Sequence, residues 1–284
     1  MNMLCELFGY TKQAYYKQFT PQSNRATQHQ QLKAAVLTIR RQMPRLGTRK
    51  LHFLLKSEHA MIGRDRLFEL LRTEGMLITK RKNYTVTTNS KHWMRKYPNR
   101  IKELVLIRPE QLWVADITYI DTIDGNAYLH LITDAYSKQI MGYELCNNME
   151  AVSTLKALTM ALTNRQYKDQ PLIHHSDRGL QYCSKVYIDT LTKNNITISM
   201  TESGSPYDNA VAERMNGILK DEFGLGEKLN GLEEAKVHTE QSITIYNLLR
   251  PHLSCQMLTP KQMHQQKNIK VKTYKKTLNT LVNV

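Results

Sequence analysis

Residues 171–184 read PLIHHSDRGLQYCS. Leu172 and Ile173 open an apolar, strand-like run, and Asp177 stands where that strand should end, just ahead of an Arg178–Gly179 turn. An acid there is either a turn residue or one part of a metal site. Nothing within the stretch decides between the two, so its partners must be sought elsewhere in the chain.

The first candidate partner lies upstream. The run QLWVADITYI (111–120) is rich in β-formers, yet Asp116 sits inside it, an odd place for a charge unless it is used or paired. NAYLHLITDAYS (126–137) and QIMGYELC (139–146) read as two more strands, with DTIDG and the Ser137–Lys138 region as turns. A helix is expected over about 151–166, a fourth strand up to Asp177, a helix over 184–194 and a fifth strand in ITISMT (196–201). After the loop SGSPYDN a last long helix starts near Asn209. The first three strands are joined tightly and should be antiparallel, whereas the fourth follows a helical crossover and can lie parallel beside the first. That pairing is a mixed α/β sheet with helices on its faces, and it would bring Asp116 and Asp177 together.

The last helix, DNAVAERMNGILKDEF (208–223), offers a third acid. At 100° per residue Val211, Met215 and Ile218 share the core face, while Glu213 and Lys220 fall opposite, with Asn216 between them in sequence. The helix alone favours a solvent-facing Glu and Lys. The alternative is a Glu213 that faces the two aspartates, with Lys220 on the same stripe two turns on. The spacing changes the odds, because 35 residues separate Asp177 from Glu213.

With WVADITYI, HSDRGLQY, SPYDNAVAERMNGILKDEF and YNLLRPHLSCQMLTP in this order, the chain resembles the insertion-sequence transposases of the IS-three family, in particular their second-frame protein, over roughly residues 25–265. The acid spacing resembles the D, D-35-E arrangement of the retroviral-integrase superfamily. The resemblance implies a ribonuclease-H-like five-stranded core that cleaves and joins DNA strands, with Asp116, Asp177 and Glu213 as catalytic, metal-binding triad and Lys220 touching DNA ends. It implies terminal inverted repeats and target DNA as partners, a circular intermediate, a homo-oligomer on DNA, and an active form fused to, or assisted by, a first-frame protein. Residues 1–18 would then continue a longer chain. Cys183 and Tyr207 depart from the family pattern, and the absence of any C-x-x-C pair argues against the zinc module of retroviral integrases.

The chemistry follows from charge. Two carboxylates about 4 Å apart repel by roughly 4 kcal/mol at an effective dielectric of 20. Hard divalent cations relieve this, so Mg²⁺ or Mn²⁺ is expected, two ions per site, with Asp116 bridging both, Asp177 on one and Glu213 on the other. Arg178 and Asn216, beside these acids, are DNA-contact candidates, although a turn-forming role for Arg178–Gly179 is equally plausible. His174 and His175 could touch metal or phosphate but are more often structural at such positions. Asp134 reads as a structural acid, Asp121 and Asp124 as hairpin-turn acids, Asp208 and Asn209 as the helix N-cap, and Trp113 and Tyr119 as core. Arg250–Pro251–His252 match the family's C-terminal motif without a derivable role.

Bulk properties bound the alternatives. Residues 1–110 carry 22 Lys+Arg against 7 Asp+Glu, residues 111–260 carry 12 against 18, and residues 261–284 carry 6 against none, which distributes the net +15 as +15, −6 and +6. An excess this lopsided suggests a polyanionic partner, most simply nucleic acid. No apolar run is long enough to span a membrane and no signal peptide opens the chain, so a cytoplasmic, nucleoid-associated bacterial protein is expected. Four scattered cysteines read as free thiols.

Residues 1–22 are expected to form a partial helix-turn-helix or loose terminal segment, with a glycine turn at Gly9 and a helix opened by Thr11. TPQSNRATQ (20–28) reads as a linker, and residues 23–80 as a helical DNA-binding domain of three short helices. Arg45, Arg49, Lys50, Arg64, Arg66 and Arg72 decorate it, so a helix-turn-helix DNA reader is favoured over a mere spacer bundle. A basic linker over 81–110, a catalytic core over 111–262 and a basic tail over 263–284 complete the expected organisation. Two other functions stay open: a metal nuclease of the same fold that only hydrolyses, and a DNA-binding regulator of transposition without catalysis.

Overall fold

The computed structural model describes residues 5, 7, 9, 11–56, 63–79, 94–202 and 209–271. The chain divides into two units, Met1–Thr79 and Lys80–Val284. The Thr/Asn-rich run TVTTNSKH, Lys80, Arg81, Lys82 and Lys91, and Tyr207 and Asp208 of the SGSPYDN loop lie outside the described residues.

In the first unit, helices α1 (Lys12–Gln42), α2 (Thr48–Leu55) and α3 (Arg64–Thr73) bury Leu32, Val36, Met43, Leu46, Leu51, Leu55, Leu67, Leu70 and Leu71. Gly9 turns at φ 67° as expected. The expected linker at 20–28 is instead helix. The linker expectation rests on Pro21, whose cost of about 3 kcal/mol is outweighed over a long run of Gln, Ala, Lys and Arg. Helix α3 ends on Gly75 at φ 65°, where Met76 N–H donates to Leu71 O and Gly75 N–H to Arg72 O, a Schellman stop. Arg49, Arg64, Arg66 and Arg72 are exposed. Lys50 is buried beside Leu51, so it does not belong to that basic surface.

The second unit holds β1 (Leu112–Thr122), β2 (Gly125–Asp134), β3 (Ile140–Cys146), α4 (Ala151–Asn164), β4 (Leu172–Ser176), α5 (Lys185–Lys193), β5 (Ile196–Met200) and α6 (Ala210–Phe223), in the expected order. The sheet runs β3-β2-β1-β4-β5, with β1, β2 and β3 antiparallel and β4 and β5 parallel to β1, a ribonuclease-H-like arrangement. Helix α6 is not the last. Helix α7 (Leu232–Leu249), a 3-10 turn (Leu253–Cys255) and α8 (Pro260–His264) follow it.

Strand alternation sorts side chains onto two faces. Trp113 and Ala115 point into one core with Ile132, Met141, Ala157, Ala161, Tyr182, Tyr187 and Met200, under α4 and α5. Leu112, Val114 and Ile173 point into the other, with Ala212 of α6. The basic stretch before β1, expected as linker, joins these cores from residue 97 on: Tyr97 packs on the first and Ile101, Leu104 and Leu106 on the second. Its charge hides this apolar spacing. Met263 and His264, expected at the start of a tail, are likewise buried.

At the N-terminal end of β1 a buried polar network ties these flanks down. Asp134 accepts from Glu110 N–H, Ser137 N–H and Ser137 Oγ, each at 2.7 Å. His264 Nε2 stands 3.2 Å from Glu110 and its Nδ1 2.9 Å from Ser137 Oγ. Asp134 is therefore structural, as expected. All four cysteines are free. Among the described residues no helix is long and apolar enough to cross a membrane.

Gly142 of β3 lies directly under α4. A Cβ there would collide with Ala157 O and come within 2.7 Å of Ala161 N, both backbone atoms. Gly142→Ala is expected to destabilise the protein by about 3 kcal/mol through overpacking, read as a lowered urea midpoint at unchanged slope.

Candidate active site

Three elements converge on one acidic site. In β1 the alternation that buries Leu112 and Val114 against α6 turns Asp116 to the same side. The parallel pairing runs to Val114↔His175, two residues short of Asp116 on β1 and of Asp177 just past β4, and the charge of Asp177 reaches Asp116. Asp177 follows the last residue of β4, and its Oδ1 accepts from Gly179 N–H at 2.9 Å. The carboxylate thus holds the turn that the sequence suggested.

Helix α6 brings the third acid. Its apolar side buries Ala212, Met215, Ile218, Leu219 and Phe223. A second, polar stripe of Asn209, Glu213, Asn216 and Lys220 follows the i, i+4, i+7 rule. Two of its members anchor the helix to β1. Asn209 Nδ2 donates to Ala115 O at 3.0 Å, and Asn216 Nδ2 donates to Asp116 Oδ2 at 2.8 Å. Asn209 stands at the helix start but makes no side-chain cap. Asn216, expected to touch DNA, is buried and already engaged with the acid; its position on the stripe is the sequence signal for that role. Glu213 is exposed in the first turn of α6, and Lys220 is half-buried.

The electrostatics follow. Burial pushes the Asp116 carboxyl up to about 7, the charges of Asp177 and Glu213 push the same way, and the N–H of Ile117 and the Asn216 amide oppose them. Partial burial also raises Glu213. Burial lowers Lys220, while Asp116 and then Asp221 hold its charge in place. Asp116 therefore feels both other acids and the lysine. Among the described residues, no three of His, Cys, Asp and Glu stand close enough together to form a ready-made metal cage.

The neighbours sort as follows. His174 Nε2 meets Tyr187 OH at 2.9 Å and His175 Nδ1 meets Ser199 Oγ at 2.8 Å, so both buried rings brace the sheet. Trp113 is core. Arg178 lies half-exposed in the Asp177 turn. The Arg250 motif is structural. Its guanidinium grips Glu222 of α6 at 2.8 and 2.7 Å and lies 5.6 Å from the Tyr246 ring centre, almost wholly buried. Tyr246 OH is 2.8 Å from Lys138 O and 3.0 Å from His252 Nε2. The C-terminal helices thus clamp the helix that carries Glu213.

An isolated aspartate ionises near 3.8, whereas the folded one ionises near 7. Between these values the native state binds the extra proton, so this group lowers stability as pH rises from about 4 to 7, by at most about 4 kcal/mol, and adds no further slope above 7. In chelator, Asp116→Asn is expected to be more stable than the parent chain at pH 8 and to lose that advantage at pH 4, as followed by thermal melts.

Comparisons with known proteins identify the family. Two integrase core domain profiles match residues 107–206 and 194–260. The uncharacterized 31 kDa protein of insertion element IS600 from Shigella sonnei is 34% identical over 262 residues, 90% of this chain and 96% of that protein. The transposase InsF for insertion sequence IS3A from Escherichia coli K12 is 32% identical over 201 residues, 70% of this chain and 69% of its own length. The transposase for insertion sequence element IS629 from Shigella sonnei is 34% identical over 174 residues, 61% of this chain and 58% of its own. Among solved structures, the HTLV-2 integrase catalytic core in complex with magnesium is 19% identical, covering 55% of this chain and 97% of that one at a TM-score of 0.45. The simian T-cell lymphotropic virus intasome in complex with PP2A regulatory subunit B56 gamma is also 19% identical, covering 83% and 76% at 0.49. The chain belongs to the insertion-sequence transposases related to IS3, polynucleotidyl transferases with an integrase catalytic core that act in DNA transposition.

Proposed function

We propose that Asp116, Asp177 and Glu213 are the catalytic acids of this transposase and together hold two divalent cations, Mg²⁺ or Mn²⁺. The observation that carries the reading is the convergence of β1, the end of β4 and α6, which brings Asp116 under the Asn216 amide and within reach of the charges of Asp177 and Glu213. Such uncompensated negative charge, presented by hard oxygen donors, fits a divalent cation. Asp116, Asp177 and Glu213 would each supply carboxylate oxygens to hold them. When bound, the cations activate the attacking oxygen and stabilise the leaving one in an in-line displacement.

The chain's own groups align the DNA. Water breaks a P–O bond at the element's end and frees a 3′-hydroxyl. That hydroxyl then attacks a second phosphodiester, making one P–O bond and breaking another, so no enzyme-bound intermediate is needed. Asn216 holds Asp116 in place through its amide. Lys220, on the same stripe and beside the acid, meets a phosphate of the bound end, and Arg178 meets the backbone next to the Asp177 turn. The exposed Arg49, Arg64 and Arg66 of the helical unit, which stands as a helix-turn-helix reader, contact the terminal inverted repeats. The protein works as a homo-oligomer on its ends and target, with the first-frame protein fused or assisting.

Asp177→Asn and Glu213→Gln are each expected to reduce both strand cleavage and strand joining of labelled end DNA in Mg²⁺ to background. Joining retained by either variant contradicts the assignment, and nicking without joining by the parent chain favours a hydrolase. In filter binding, the Arg49→Ala, Arg66→Ala double variant is expected to flatten the slope of log affinity against log salt by about 2, one counterion per lost phosphate contact.

A further inference from the structure

A groove on the α4 and α5 side of the sheet, reached from Asp177 through the turn that follows it, has no part in the chemistry described so far. It has a volume of about 280 Å³, and is lined by Met94, Arg95, Tyr97, Cys183, Ile188 and Asp189, with Lys185 also on its wall. Two separate pieces of chain build it: the segment leading to β1, and the turn and helix that follow Asp177. Tyr97 and Ile188 lean on the core beneath β1, where Tyr182 and Met200 also lie. Arg95 stands over the Tyr97 ring, 5.3 Å from its centre. Lys185, Asp189 and Arg95 are exposed, while Cys183 and Ile188 are half-buried. The groove is therefore apolar inside, with an arginine plane on one side and charges of both signs at the mouth.

Its place relative to the acids is fixed by a short piece of chain. Tyr182 N–H and Cys183 N–H both donate to Gly179 O, so the five residues after Arg178 wind into one compact turn. Cys183 comes close enough to Asp177 for that carboxylate to raise its thiol pKa, after the larger effect of burial, while Lys96 and Arg178 pull it down. If a DNA strand engaged at Asp177 follows this turn, the mouth falls within reach of its next few nucleotides, since successive nucleotides of a stacked strand rise by about 3.4 Å.

The volume lies at the small end of ligand pockets and excludes a duplex. The carboxylate of Asp189 disfavours a phosphate inside, whereas Lys185 at the mouth favours one outside. An apolar slot floored by an aromatic–guanidinium pair, with a cation at its lip, suits a planar base whose phosphate stays in solvent. We propose that this groove is a nucleotide subsite that takes one unstacked base of the DNA strand held at the acids, against Arg95 and Tyr97, with the adjoining phosphate on Lys185. It deepens the transposase reading by assigning the strand next to the reacting bond a base-holding contact, which keeps it locally unpaired.

Cys183 supplies a reporter inside the groove. The full chain carrying Cys146→Ser is treated with iodoacetamide, and alkylation of Cys183 is timed by peptide mass spectrometry. This is done alone, with a single-stranded oligonucleotide, and with an oligonucleotide of the same length made of abasic units. The base-bearing strand is expected to slow alkylation about tenfold or more, the range of one stacked base, and the abasic strand, which keeps every phosphate, to leave it nearly unchanged. Arg95→Ala and Lys185→Ala, both surface changes, should each weaken the protection. Equal protection by both strands, or none by either, overturns the proposal. Because the readout needs no cleavage, it is separate from the acid assignment: active Asp177→Asn would sink that assignment and leave the groove's result standing.

Discussion

A carboxylate placed inside an apolar strand is the constraint around which this core is arranged. Asp116, only partly exposed, shares the face of β1 that Leu112 and Val114 bury against α6. Its environment must answer its charge, and the answer is unequal. Ile117 N–H and the Asn216 amide stabilise the ionised form, yet burial and the charges of Asp177 and Glu213 outweigh them. The protein thus stores an electrostatic deficit at one point, as sites built for chemistry commonly do.

Holding that deficit requires a stiff frame. The parallel β1–β4 ladder, which runs to Val114↔His175, sets the register in which the two chains arrive at Asp116 and Asp177. Helix α6 is fixed at its start by Asn209 and in its middle by Asn216. Near its end the almost wholly buried Arg250–Glu222 pair ties it to the segment after α7. Breaking one partner of such a pair leaves a buried charge, which costs far more than the pair contributes. Glu213 itself sits exposed between the two asparagine anchors.

Much of this is legible in the sequence because it rests on short-range pattern. The strands around Asp116 and Asp177 announce themselves by β-branched and aromatic residues, the tight connections dictate antiparallel pairing, and the helical crossover dictates the parallel neighbour. The stripe of Glu213 and Lys220 can be read from a wheel. The wheel leaves Asn216 open to DNA as well as to Asp116, because it gives direction without saying what stands opposite. A linker at 20–28 is the wrong expectation because one proline weighs less than thirty helix-tolerant neighbours. Arg250 has no role legible in sequence because its partner Glu222 is 28 residues away, and no local periodicity reports such a contact. Lys50 parts from its exposed arginine neighbours because it adjoins Leu51 on a helix with a narrow outer face.

Coupling between Asp116 and its acidic neighbours underlies the whole site, and a direct titration measures it. In the metal-free chain, the carboxyl carbon of Asp116 is followed by ¹³C NMR from pH 3 to 9, in the parent protein and in Asp177→Asn. Ionisation near 7 in the parent, moving down in Asp177→Asn as one repelling charge is lost, is the predicted result. A carboxyl that ionises near 4 in both proteins would contradict it.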